Sequence, residues 1–95
     1  MKVRYMGLVR NTVGIPEEEV ALPDSSRVGE LLALLQQRHD DSFRYSLFSP
    51  NGQLRPMVRV FIGEEEIGEM EGLDTPLGPG TEVSILVAVH PSAGG

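Results

Sequence analysis

Thr81-Glu82-Val83-Ser84-Ile85-Leu86-Val87, running on into Ala88-Val89-His90-Pro91-Ser92-Ala93-Gly94-Gly95, is the stretch on which the fold turns. Its first half alternates with period two. Val83, Ile85 and Val87 share one face, the pattern of a half-buried strand. Its second half carries no Asp, Glu, Lys or Arg and closes on Gly-Gly. Glycine has no side chain and tolerates most backbone angles, so such a pair threads into a narrow slot. The expectation is a folded handle over residues 1–88 and a flexible tail over residues 89–95, with the terminal carboxylate as the reacting group.

A final strand needs neighbours, and the rest of the chain supplies them. Residues 2–9 alternate too, with Val3, Tyr5, Gly7 and Val9 on one face and Arg4, Met6 and Leu8 on the other. Asn11 to Pro16, with Gly14, reads as a turn, and Glu17 to Leu22 as a second strand with Val20 and Leu22 inward. Pro23-Asp24-Ser25-Ser26 reads as a helix start with a serine as N-cap. Val28, Leu31, Leu32 and Leu35 then fall at i, i+3, i+4 and i+7, one apolar stripe of a helix to about Arg38. Gly29 inside that helix marks either a close approach to the sheet or an uncompensated weak spot. Phe43, Leu47 and Phe48 suit a short helical turn at the core edge. Met57 to Ile62 alternates with Val58, Val60 and Ile62 inward, Glu66-Ile67 makes a very short edge strand, and Gly72 to Gly80 is loop.

Strand, strand, helix, strand, short strand, strand predicts an α+β domain: a mixed sheet of four to five strands with one main helix packed on one face. A right-handed crossover through the helix sets the first and last strands parallel at the centre.

Ninety-five residues make one small domain with a single modest core. A formal charge of −6 points away from nucleic acid and anionic membrane and toward a basic protein surface. The chain has no cysteine, which removes disulfides, thiolate metal sites and thiol nucleophiles. No apolar stretch approaches the roughly 18 residues of a membrane span, and no signal-like start is present. The chain is expected to be complete and cytoplasmic.

The segment Leu54 to Ile62, the loop Gly72-Leu73-Asp74-Thr75-Pro76-Leu77, the strand Gly80-Thr81-Glu82-Val83-Ser84-Ile85 and the final Gly94-Gly95 together resemble the MoaD/ThiS family of ubiquitin-like sulfur carriers. Val3 to Gly14 is similar as well, so the likeness covers nearly the whole chain. The resemblance implies a β-grasp fold and a covalent co-substrate that is not itself an enzyme. It implies that an ATP-dependent adenylating enzyme activates Gly95 and that a sulfur donor protein converts the adenylate to a thiocarboxylate. An acceptor enzyme of molybdopterin, thiamin, cysteine or thiolated-tRNA synthesis then takes the sulfur. Gly94 and Ala93 would thread into the partner, and the carrier itself would bind no cofactor, ATP being the activating enzyme's. The ending departs from the family's, in which an early proline step is followed by one residue and Gly-Gly; here a longer tail intervenes, a difference that bears on insertion into a molybdopterin synthase large subunit. Gly63 stands where the family commonly has Asn.

The outward residues Met6, Leu8, Phe61, Leu86 and Ala88, edged by Arg4 and Arg59, form an apolar patch beside the tail if their strands are neighbours. That patch is read as the face on which partner enzymes dock, against the plain alternative of scattered exposed apolars. Glu17-Glu18-Glu19 and the cluster Glu64, Glu65, Glu66, Glu69 and Glu71 read as solvated faces rather than metal sites, because hard-cation loops alternate their ligands around a turn glycine. His90 reads as a spacer, His39 as a partner of the helix dipole and Tyr5 as core filling. A modifier conjugated to lysines through Gly95, and a β-grasp interaction module with an incidental Gly-Gly, are the competing functions. Lys2, the single lysine, limits self-conjugation.

Overall fold

The computed structural model describes residues 1–88. The expected tail, residues 89–95 with His90, Ala93, Gly94 and Gly95, lies outside the described residues. Eight principal elements follow in order: β1 (Lys2–Gly7), α1 (Leu8–Val13), β2 (Glu17–Glu19), α2 (Val28–Arg38), α3 (Asp41–Leu47), β3 (Val58–Ile62), β4 (Glu65–Glu66) and β5 (Glu82–Val87). Short 3-10 turns occupy Ile67–Glu69 and Gly72–Asp74, the latter inside the segment expected to be plain loop.

The sheet has five strands in the order β2-β1-β5-β3-β4. β5 is the centre. It runs parallel to β1, from Lys2 opposite Glu82 to Gly7 opposite Val87, and antiparallel to β3, from Val58 opposite Val87 to Ile62 opposite Val83. The parallel central pair expected from a crossover helix is present.

The inward residues Val3, Tyr5, Val60, Val83 and Ile85 are buried against Val28, Leu31, Leu32 and Leu35, the full stripe read from the sequence of α2. Each such aliphatic contributes about 1.5–3 kcal/mol by leaving water. Phe43 and Leu47 of α3 close the core edge, Phe43 with its ring edge-on to Tyr5 at 6.3 Å between centroids. Asp40 caps that helix, its carboxylate accepting the Ser42 N–H at 3.1 Å.

Three local readings are corrected. β1 does not continue to Val9: it stops at Gly7, and residues 8–13 are helical where a strand end and a turn were expected. Gly7 is the cause. Its φ of 69° and ψ of −144° belong to a region open essentially to glycine, and a Cβ there would lie 2.2 Å from the Val87 carbonyl oxygen. The chain swings off the sheet at that point, and Val9 reaches the core from α1. Secondly, α2 is not capped by a serine. Ser26 is buried, its N–H given to Pro23 and its carbonyl taken by Leu77, so the N-cap falls on Arg27, whose N–H donates to the Glu30 carboxylate at 2.9 Å. Thirdly, the close approach at Gly29 is to Leu73, whose carbonyl oxygen would sit 3.4 Å from a Cβ there, and not to the sheet. Among the described residues no helix is long and apolar enough to cross a membrane.

Candidate functional site

Among the described residues β5 is the last strand before the Gly-Gly ending, and it is gripped from both sides up to its last residue. Val87 stands between Gly7 and Val58, and the Ala88 N–H still donates to the Met57 carbonyl at 3.0 Å. Whatever follows Ala88 therefore starts from a fixed point at one end of the sheet.

The outer face beside that point is set by strand alternation. Met6, Leu86 and Arg59 form one cross-strand row, and Arg4, Ser84 and Phe61 form the next. Met6 is 45% exposed, while Leu86, Phe61 and Ala88 are half-buried. Six of the seven residues read from the sequence as a partner face, Met6, Phe61, Leu86, Ala88, Arg4 and Arg59, are thus on or beside neighbouring strands. Leu8 is placed differently from the expectation. It opens α1 instead of lying on β1, and at 44% exposure it stands next to the bend at Gly7.

The charges around this patch are internally balanced. The Arg4 guanidinium lies 2.9 Å from the Glu82 carboxylate, and Arg59 donates to Glu66 at 2.9 Å. Lys2 faces Glu17 at 3.4 Å. An apolar centre ringed by paired ions suits a protein interface: a docking surface can cover it without stranding a lone charge. Ser84 and the Glu82 carboxylate were not singled out in the sequence reading, and Glu66, read there as part of a solvated acidic face, is half-buried and paired with Arg59. The signal for Ser84 was present, because the same alternation that sends Val83 and Ile85 inward sends it out.

A second polar cluster ties the sheet edge to the helix. Glu18 of β2 accepts hydrogen bonds from the Tyr5 hydroxyl, from Arg38 at 2.8 Å and from the His39 ring nitrogen Nε2 at 2.5 Å. Burial opposes ionisation of Glu18, but these donors outweigh it and hold its carboxyl below the ordinary 4.5. Burial, and the Glu18 carboxylate beside it, push the Tyr5 phenol upward. Tyr5 is core filling, as expected, with its hydroxyl satisfied. His39, expected to meet the helix dipole, stands at the C-cap of α2 and spends its ring on Glu18. This cluster fastens β2 to α2 and lies on the helical side of the sheet, away from the outer patch.

Among the described residues no group of three or more His, Cys, Asp or Glu could hold a metal ion. Glu64, Glu65, Glu69 and Glu71 are exposed.

A five-stranded mixed sheet with β1 and β5 parallel at its centre and α2 crossing between them defines a ubiquitin-like β-grasp protein. The model of the ThiS family matches residues 3–95, and the chain belongs to that family. Members of the family are small carriers that work with partner enzymes. Solved structures with the same fold include SAMP1 from Haloferax volcanii, at 19% identity and a TM-score of 0.82 over 94% of each chain. A putative molybdopterin converting factor subunit 1 from Pyrococcus furiosus is 25% identical, with a TM-score of 0.71 over 93% of this chain and 95% of that one. The Amycolatopsis orientalis BexX/CysO complex contains a chain 21% identical, with a TM-score of 0.77 over 94% of this chain and 96% of that one. No curated protein matches the sequence.

Proposed function

We propose that the chain is a sulfur carrier whose Gly95 carboxylate is the functional group. A carboxylate is a poor electrophile. A partner enzyme transfers AMP from ATP onto it, releasing pyrophosphate and leaving an acyl-adenylate. The persulfide of a sulfur donor protein then attacks the acyl carbon and AMP departs, leaving an acyl disulfide. A second thiol reduces that S–S bond, which frees the thiocarboxylate and leaves the donor as a disulfide. An acceptor enzyme of molybdopterin, thiamin, cysteine or tRNA thiolation takes that sulfur. None of these steps needs a catalytic side chain on the carrier, and ATP stays with the activating enzyme. The work belongs to the cytoplasm, where ATP is supplied.

The observation that carries this reading is the root of the tail: β5, hydrogen-bonded on both sides through Val87, leads into the Gly-Gly ending of a chain matched by the ThiS-family model through residue 95. The patch of Met6, Leu8, Phe61, Leu86 and Ala88, with Arg4 and Arg59 at its edge, is the docking face for the activating and acceptor enzymes. Gly94 and Ala93 give the slender approach to the active centre.

A second reading, a modifier joined through Gly95 to target lysines, draws support from one placement. Lys2 stands opposite Glu82 at the start of β5, so the chain's one lysine lies at the other end of that strand from Val87, where the tail is rooted. ATP–pyrophosphate exchange with an adenylating enzyme from the same cell separates covalent from non-covalent roles. Exchange is expected with the native chain and not after deletion of Gly95 or addition of one residue beyond it. Indifference to both changes would leave a β-grasp interaction module.

A further inference from the structure

On the helical side of the molecule, α2, α3 and the loop that follows α3 enclose a groove of about 210 Å³. Gln36 comes from α2, Arg44 and Tyr45 from α3, and Phe48, Ser49 and Pro50 from the loop. Three features set it apart from the rest of the surface. The first is charge. The chain carries a formal −6, yet none of the described residues lining the groove is acidic. Arg44 is exposed and, among the described residues, forms no ion pair, although Asp41 lies one helical turn before it. The second is presentation. The Arg44 guanidinium lies over the Tyr45 ring, 4.7 Å from its centroid, and Tyr45 is 57% exposed, the most exposed large apolar side chain of the core domain. Arg and Tyr are the residue types that most often dominate binding energy at protein interfaces. The third is rigidity. The loop wall is built: Phe48 bridges to Leu54, Ser49 donates its N–H to Gln53 at 2.8 Å, Arg55 returns its N–H to Leu47 at 2.8 Å, and the Arg55 side chain holds the Tyr45 carbonyl at 2.7 Å. A preformed site spends less on ordering when it binds.

We propose that this groove is a second recognition site, taking an acidic segment of a partner protein that carries one aromatic or large aliphatic anchor. The anchor side chain fills the space against Phe48 and Pro50, and a flanking carboxylate pairs with Arg44. Size selects a protein segment over a small molecule, because the groove is smaller than the roughly 300–1,000 Å³ of cofactor and ligand pockets. Charge complementarity selects an acidic segment. The residues of α2 and α3 that face away from the groove pack on the inner side of the sheet, so the groove and the Met6/Leu86 patch are on opposite sides of the molecule. Occupancy of one leaves the other free, and the site is independent of the chemistry at Gly95.

The test is a titration of the full chain, followed by backbone amide NMR, with the synthetic peptide acetyl-Glu-Glu-Phe-Glu-Glu-amide. Saturable shifts are expected at Gln36, Tyr45, Phe48 and Ser49, with none on β1 or β5. Arg44→Glu is expected to weaken binding about tenfold or more, the loss of one charge-assisted hydrogen bond. Tyr45→Ala is a second variant; both side chains are exposed, and an unchanged amide spectrum elsewhere reports the intact fold. Four outcomes would overturn the proposal: no shifts in the groove, equal shifts with the corresponding lysine peptide, the same shifts with inorganic phosphate alone, or groove resonances that move on dilution without peptide, which would assign the groove to a second copy of this chain.

Discussion

Replacing Gly7 by alanine tests why β1 ends where it does. The residue has φ 69° and ψ −144°, a conformation that costs a non-glycine residue about 1–3 kcal/mol. The added Cβ also falls 2.2 Å from the Val87 carbonyl oxygen and 2.9 Å from a Leu86 methyl carbon. The first contact is with backbone that is hydrogen-bonded on both sides, so it is not relieved by a rotamer change. Overpacking of that kind adds about 1–3 kcal/mol. The sum centres near 4 kcal/mol, a large part of the roughly 5–15 kcal/mol that holds a small domain together. Gly14→Ala is the matched control. Gly14 also has positive φ, 87°, at the end of α1, but nothing lies within 4 Å of its missing Cβ, so only the left-handed backbone cost of about 1–2 kcal/mol applies. With a urea m-value of about 2 kcal/mol/M, the unfolding midpoint should fall by about 2 M for Gly7→Ala and by less than about 1 M for Gly14→Ala. Equal shifts in the two variants would refute the close packing of Gly7 on the root of the tail.

Other consequences follow from the same geometry. Glu18 has a carboxyl held below 4.5 in the folded chain, so its contribution to stability is complete above that pH and is lost as pH falls through the lower folded value. Thermal unfolding of the native protein should therefore weaken more steeply below about pH 4.5 than that of Glu18→Gln, which should be less stable at neutral pH; parallel pH profiles would remove Glu18 from the account. Met6→Glu and Leu86→Glu place a charge on the outer sheet face. For the exposed Met6 the unfolding free energy should stay within about 0.5 kcal/mol of native, while the rate of ATP–pyrophosphate exchange by the activating enzyme falls at least about tenfold as a carboxylate is buried at the interface. Native exchange with both variants would move the docking face elsewhere.

How far the sequence reveals this molecule depends on which interactions each residue answers to. The stripe Val28, Leu31, Leu32, Leu35 and the alternation Val83, Ile85, Val87 each answer to one apolar core, and each was legible because a single periodicity satisfies it. Those two elements, with the parallel pairing they imply, gave most of the fold. α1 was hidden for a specific reason. Val9 continues the odd-numbered alternation of Val3, Tyr5 and Gly7, so an inward residue on a helix is indistinguishable there from one on a longer strand. The available clue was Gly7 itself, since an isolated glycine in a strand pattern signals close backbone approach, with Gly14 standing ready as a helix C-cap. The start of α2 at Arg27 was illegible because it is fixed by residues some fifty positions away, through Val28 donating to Thr75 and Leu77 donating to Ser26. The hydrogen bonds that Glu18 accepts from Tyr5 and His39 are likewise products of tertiary placement. On the outer face, alternation alone brought Met6 beside Leu86 and Phe61 beside Ser84, whereas the ion pairs that neutralise Arg4 and Arg59 depend on register, which a sequence does not print.

In the proposed reading Gly95 carries the chemistry and the folded domain serves as its handle. The most direct measurement is the intact mass of the protein after incubation with ATP, an adenylating enzyme from the same cell and a sulfur donor. Loss of one oxygen and gain of one sulfur are expected, absent from a Gly95-deleted control. An unchanged mass, under conditions in which that enzyme demonstrably activates the chain by pyrophosphate exchange, would contradict the sulfur-carrier role and leave conjugation to lysines as the use of the activated terminus.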